Sequence, residues 1–368
     1  MKYIDFAENE RLSTIVLGMM RISEMSEDEV EALVEAALSI GINTFDLADI
    51  YGDGQCEVLL GKVLKRRPEL RDQMWIQSKC GIRKDGFTYF DFSKDYILDS
   101  VDGILERLQI ERLDSLLLHR PDALMEPEEV ATAFDHLEQT GKVRHFGVSN
   151  QNPMMMELLK TAVKQPLKVN QLQLSAAFTP SFEAGFHVNM EGPKAAVRDG
   201  SVFEYCRLTD TVIQAWSVLQ HGFFKGNFVG KEEFAALNHV LTDLAKKYQV
   251  TPTAIALAWV LRYPGKMQAV IGTTKPQHVL EAGKAATVTL TRKEWYQVYL
   301  AAGNDLPSFN SCRRISRYCS GSSTKRPAIF CSRGRSLHSL PKQTESTIPR
   351  LSKREIAPRA KNSALPVA

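Results

Sequence analysis

The 368-residue chain reads as an α/β protein built on a (β/α)8 TIM barrel, and three observations carry that expectation. Eight apolar, β-like runs recur along the first three hundred residues, and amphipathic helical stretches separate most of them. An open doubly wound sheet usually carries G-x-G-x-x-G after its first strand. Here the first run is followed by MMRISEMS, without such a loop.

The runs are TIVLGM (14–19), INTFDLA (42–48), MWIQSKC (74–80), LDSLLLH (113–119), HFGVSN (145–150), KVNQLQLS (168–175), TVIQAWSV (211–218) and MQAVIGT (267–273). The helix after the first, SEDEVEALVEAALSIG, has Ser26 as its cap, acids in its first turn and Gly41 as its stop. SKDYILDSVDGILERLQ, PEEVATAFDHLEQTGK and NPMMMELLKTAV follow the third, fourth and fifth runs. EEFAALNHVLTDLAKKY and TPTAIALAWVLRYPG form a longer helical connection before the eighth. The longest irregular stretch, 176–201, would overhang the C-terminal face of the barrel, where long loops commonly serve function. GNFVGKEE near 226 has the wrong glycine spacing for a phosphate loop, and Lys231 precedes Glu232 rather than Ser or Thr.

Composition bounds the class. The chain is 44% apolar, and no window approaches the ~18 consecutive apolar residues of a membrane span. The opening MKYIDFAENERLS has no signal-peptide apolar region, so a cytoplasmic protein without a membrane partner is expected. The net charge of +3 hides an asymmetry: residues 308–368 hold 13 Lys and Arg against 2 Asp and Glu, leaving −8 for the rest. Only 11 of those 61 residues are Leu, Ile, Val or Phe, too few to build a core. The expected organisation is a barrel over 1–307 and a basic, Ser/Arg/Pro-rich disordered tail over 308–368. Only that tail points towards nucleic acid, which is not the expected partner. Cys56, Cys80, Cys206, Cys312, Cys319 and Cys331 form no CxxC pair, so no metal site is expected.

The second run carries an acid, Asp46, between Phe45 and Leu47, and Tyr51 follows five residues later. An ionised carboxylate in an apolar run is costly unless paired. Strand alternation puts Asp46 and Tyr51 on one side only if Tyr51 lies beyond the strand, on the turn YGDG. Lys79 ends the third run and His119 the fourth, so four titratable residues gather where adjacent barrel strands end. Together they suit proton donation. A tyrosine has a pKa near ~10, a Lys ammonium beside it favours the phenolate, and that ammonium needs a carboxylate in a site shielded from water. A neutral His can orient a carbonyl oxygen or relay the proton. No amino acid supplies a hydride, so a nicotinamide cofactor is implied.

FDLADIYG, IQSKCGI, LLLHRPD, GKVRHFGVSN, the Gln of VNQLQLS and AVIGTTKPQHVLEA occur in the order and spacing of the aldo-keto reductase superfamily, which residues 10–307 resemble. ADIYG…QCE, SKCGI and HRPDALM look most like its bacterial YdhF-like branch. The resemblance implies Asp46, Tyr51, Lys79 and His119 as a catalytic tetrad, with Tyr51 the general acid. Ser149, Asn150 and Gln171 match positions that hydrogen-bond the nicotinamide carboxamide. Trp216 matches the aromatic that stacks on its ring, and Ser217, Leu219 and Gly222 match the pyrophosphate stretch. Thr273, Thr274, Lys275, His278 and Glu281 fall at the adenine end. His278 stands where many members carry an Arg for the 2′-phosphate, and Ala282 where many carry an Asn. Lys275 and the helix N-terminus could still receive the phosphate.

The implied activity is NADPH-dependent reduction of aldehydes or ketones, with NADH the second choice and a small-molecule carbonyl as substrate. The alternative is a cofactor-binding regulatory module of the same fold with little or no turnover. Loops 19–25, 81–95 and 176–205 should set substrate choice. Their Phe87, Tyr89, Phe90, Phe92, Phe178, Phe182 and Phe186 favour an apolar or aromatic carbonyl.

Overall fold

In the computed structural model, residues 1–306 are described except 189, 191, 197–199 and 224. The boundary expected at 307/308 and the whole 308–368 segment, with three of the cysteines, lie outside the described residues.

Eight parallel strands close into a barrel in chain order: β1 Ile15–Gly18, β2 Thr44–Asp46, β3 Trp75–Cys80, β4 Leu113–Leu118, β5 Val143–Ser149, β6 Leu167–Gln173, β7 Val212–Trp216 and β8 Met267–Ile271. Each expected run contains or overlaps one of them. The outer ring includes helices Glu27–Ser39, Gln55–Arg66, Lys94–Leu108, Pro127–Gln139, Pro153–Lys160 and Val202–Leu208, and the pair Ala235–Tyr248 and Pro252–Leu261 joins β7 to β8. Ser26 and Glu29 cap the first of these reciprocally, and Gly41 takes the left-handed conformation just past its end.

Two hairpins were not foreseen. Tyr3–Ala7 pairs with Glu10–Ser13, and its Phe6 and Leu12 pack with Trp75, Leu117, Val169 and Val212 to close the N-terminal end of the barrel. Ile82–Asp85 pairs with Phe87–Phe90 in the loop after β3. The long stretch after β6 holds a short helix, Pro180–Phe186.

Above the apolar plug the barrel interior is polar. Gln77 donates to Asp46 (2.6 Å) and Gln214 (2.8 Å), Gln214 to Gln268 (2.9 Å), and Gln268 to the Ser13 carbonyl (2.8 Å). Gln171 also donates to Asp46 and Gln214, each at 3.0 Å. Buried amides are tolerated only when their groups are paired in this way. The network forms a floor on which the C-terminal end of the barrel is built.

Candidate active site

Alternation along β2 and β3 points Asp46, Gln77 and Lys79 into the barrel, while Phe45, Ile76 and Cys80 pack in the apolar core outside it. Lys79 is fully buried. Its ammonium lies 2.8 and 2.9 Å from the two Asp46 oxygens and donates to the Leu47 carbonyl at 2.6 Å. Its remaining contact is the Tyr51 hydroxyl, at 3.1 Å. Tyr51 sits on the single turn of 3-10 helix Tyr51–Gly54, beyond the strand end. In that turn Gly52, Asp53 and Gly54 all have positive φ, the geometry that folds the tyrosine back over the barrel mouth. His119 follows β4, and its ring meets that of Tyr51 edge to face at 5.8 Å. The four residues expected to converge do so.

Their electrostatics differ in one respect from expectation. Burial pushes the Tyr51 hydroxyl above its usual range, and the Lys79 charge only partly offsets this. Tyr51 is therefore a neutral phenol with a proton to give, not a partial phenolate. Burial opposes the charge on Lys79, but Asp46 and Tyr51 together outweigh it, and the ammonium is held. Burial, then the Lys79 and Arg120 charges, push His119 well below its ordinary value, so its imidazole is neutral. Its Nδ1 is buried without a hydrogen-bond partner among the described residues.

Behind this group lies a layer the sequence reading did not single out. Glu57, fully buried on helix Gln55–Arg66, accepts from Ser78 at 2.6 Å and from Arg107 at 2.8 Å. Asp49 accepts from Tyr96 at 3.3 Å, and its other oxygen is buried without a partner among the described residues. Burial, then the Glu57 charge, raise its pKa to about 7. The pattern QCE was visible as a motif, but nothing local marked its glutamate as buried.

The residues expected to hold a cofactor fall in two groups. Ser149, Asn150, Gln171 and Trp216 lie together at the ends of β5, β6 and β7. Trp216 donates to the Asn150 amide oxygen at 3.3 Å, and Asn150 donates to Ser149 at 2.7 Å. The Gln171 nitrogen is engaged by the barrel floor, which leaves its oxygen as the acceptor for a ligand. Asn150 and Ser217 are both held at positive φ, costly for residues with side chains and typical of positions shaped for a ligand. Ser217 bonds Gln220 to close the turn leading to Leu219 and buried Gly222. At Gly222 a Cβ would come within 2.8 Å of Lys225.

The second group follows β8. Thr273 bonds His278 at 3.3 Å and accepts from the Lys275 backbone, while Lys275 and His278 are exposed at the start of helix Pro276–Gly283. Thr274 is half-buried beside them, and Glu281 accepts from Gln277. Ala282, by contrast, is buried. Amide donors and acceptors near an aromatic face, with a basic helix start across the rim, have the chemistry that a nicotinamide dinucleotide needs.

Residues 14–299 match the family model described as the aldo/keto reductase family. The chain belongs to the aldo/keto reductase family. Among its relatives, the oxidoreductase YdhF of Escherichia coli is 34% identical, over 82% of this chain and 97% of its own. A 6-dehydroglucose reductase of Agrobacterium fabrum is 35% identical, over 83% of this chain and 100% of its own. An aldo/keto reductase of Klebsiella pneumoniae, crystallised with NADP and acetate, shares the fold at 22% identity, with a TM-score of 0.66 over 83% of this chain and 96% of that one.

In this aldo/keto reductase three of the seven aromatic residues expected to line the substrate loops serve other ends. Phe92 is buried against Gly81, where a Cβ would approach it to 2.3 Å and where φ is +117°. Phe182 packs among Phe203, Trp259, Tyr263 and Trp295, and Phe186 against Tyr296 and Tyr299. Phe87 and Phe90 are exposed on the hairpin, beside Tyr89, and Phe178 is half-buried. Phe87, Tyr89, Phe90 and Phe178 thus remain open to a ligand, whereas Phe92, Phe182 and Phe186 do not.

A cleft of about 750 Å³ opens at the opposite end of the barrel, lined in part by Glu10, Arg71, Asp114 and Arg144. Those four charges pair among themselves. It is far from the tyrosine, and we read it as structural.

Proposed function

We propose that the protein reduces aldehydes or ketones to alcohols with NADPH, Tyr51 being the general acid. One observation carries the reading: the Lys79 ammonium bridges Asp46 and the Tyr51 hydroxyl inside the barrel mouth. The nicotinamide, when bound, supplies the hydride that no side chain can.

The chain's own groups manage the proton and the position. Tyr51, neutral because it is buried, donates its proton to the carbonyl oxygen as negative charge develops there. Lys79 then stabilises the phenolate left behind, and Asp46 keeps Lys79 charged in a site closed to water. Neutral His119 lies beside the phenol, where it orients the carbonyl oxygen without competing as a stronger acid. Ser149, Asn150 and the Gln171 oxygen would hold the carboxamide, Trp216 would cover the ring, and Ser217, Leu219 and Gly222 would follow the pyrophosphate. Thr273, Thr274, Lys275 and His278 would receive the adenosine phosphate. NADP bound to the Klebsiella neighbour, and the reductase activity named for the Agrobacterium relative, support this reading.

NADPH oxidation against a panel of aldehydes and ketones is the test. Tyr51→Phe should lower turnover by about three orders of magnitude or more, leaving NADPH affinity and melting temperature nearly unchanged. Near-wild-type reduction by that variant would overturn the mechanism. Tight NADPH binding with no carbonyl reduced would instead favour the regulatory module.

A further inference from the structure

Arg120 directly follows His119 at the mouth of the barrel. Its guanidinium carbon lies 5.4 Å from the Trp216 ring centroid and 5.6 Å from that of Phe223, two rings that meet edge to face. It is half-buried, and its charge reaches both Tyr51 and His119. Among the described residues, no Asp or Glu forms an ion pair with it.

Half-buried Arg262 also has no ion pair among the described residues, but it donates to the Leu290 carbonyl at 2.7 Å, and other arginines are ion-paired. Arg71 pairs with Asp114, Arg83 with Asp91, Arg107 with Glu57, and Arg144 with Glu10. A cation drawn partly out of water without a counter-charge is unfavourable, and proteins seldom keep one unless a ligand completes it. Planar guanidinium, held against aromatic faces, is the side chain best suited to receive a carboxylate through two parallel hydrogen bonds. Three of the seven loop aromatics, Phe92, Phe182 and Phe186, pack inward against other side chains.

We propose that Arg120 determines substrate specificity by receiving a carboxylate carried by the carbonyl substrate, so that the favoured substrates are aldehydic or ketonic acids. The inference rests on the reductase reading given above and deepens it. Arg120 binds the far end of the substrate while Tyr51 meets the carbonyl, so its contribution falls on binding more than on the chemical step.

The experiment compares 4-carboxybenzaldehyde with methyl 4-formylbenzoate, which share ring and carbonyl but differ in charge. Wild-type protein with NADPH should prefer the acid by about 10-fold or more in kcat/KM. Arg120→Met should lower kcat/KM for the acid by roughly 10–100-fold, mainly through KM, as expected for loss of one charge-assisted contact. The ester should change by less than about 3-fold, and the NADPH dissociation constant, read from cofactor fluorescence, should not move. Arg120→Lys should recover part of the preference. In the wild type, benzoate should compete with the aldehyde, a result independent of whether any variant folds. Equal use of acid and ester by the wild type would overturn the assignment while leaving the reductase reading intact. So would an equal loss on both substrates, or weakened NADPH binding in Arg120→Met. Failure to reduce either aldehyde, or any neutral aliphatic aldehyde, would overturn both.

Discussion

Asp46 and Asp114 are both buried carboxylates that face basic groups, one at each end of the same barrel. At the lower end Asp114 accepts from the Ile76 backbone at 2.8 Å and pairs with Arg71 at 3.0 Å, while Arg144 pairs with Glu10. Those charges answer one another. At the upper end Asp46 holds Lys79, but Lys79 still offers a proton to Tyr51, and among the described residues Arg120 lacks a carboxylate and His119 Nδ1 lacks a partner. Asn150 and Ser217 are strained there as well. Ion pairing dominates the lower end, although Glu10 Oε2 has no hydrogen bond there, while the upper end leaves a cation and an imidazole nitrogen without such partners among the described residues.

Substituting the two acids sharpens that contrast. Asp46→Asn leaves a fully buried ammonium without its counter-charge and should cost about 3–5 kcal/mol of stability, with turnover nearly lost. Asp114→Asn, at the lower end, should cost about 1–3 kcal/mol and leave kcat unchanged. Urea unfolding and steady-state kinetics on both variants decide it. Equal loss of activity would erase the distinction between the ends.

Between these acids in effect lies Asp49. Its pKa is about 7 in the fold against an ordinary 3.8, so the folded protein keeps a proton that the unfolded chain has released. Stability from this group is therefore whole below about pH 4 and declines as pH rises towards 7, by no more than about 4 kcal/mol. Melting temperatures from pH 5 to 8 should show the decline, and Asp49→Asn should flatten it. An unchanged slope in the variant would assign the pH dependence elsewhere.

Lys275 extends the comparison across the upper rim, where it is exposed at the residue preceding helix Pro276–Gly283. Lys275→Ala should weaken NADPH binding ~10–100-fold and leave NADH nearly unaffected, by loss of a charge-assisted contact. A wild type indifferent to the 2′-phosphate would remove the basis for this. The smallest effect is expected beyond the barrel. We propose that 308–368 forms a basic tail separate from it, and cutting after Pro307 should leave melting temperature and activity within error. Loss of the fold on truncation would show that the tail belongs to it.

Much of this was legible in the chain. Strand positions followed from short apolar runs, helix starts from caps such as Ser26, and the placement of Tyr51 from a turn signal after a strand of known parity. Such features depend on neighbours a few positions away, through the two-residue period of a strand and the first turn of a helix. The N-terminal hairpin escaped because ERLS and YIDFA are short, mixed runs that become strands only by pairing with each other.

By itself the sequence determined the barrel, its eight strands, and the four residues that meet at its mouth. Tertiary structure alone decided what burial and distant partners do to them. It raised the Tyr51 pKa where local chemistry suggested the reverse, drew Phe92 and Phe182 into the core, and gave Arg120 no carboxylate among the described residues. The reason is distance along the chain. Lys79 and Tyr51 are 28 residues apart and Gln77 and Gln214 are 137 apart, and no local pattern states whether such groups are dry, paired or alone.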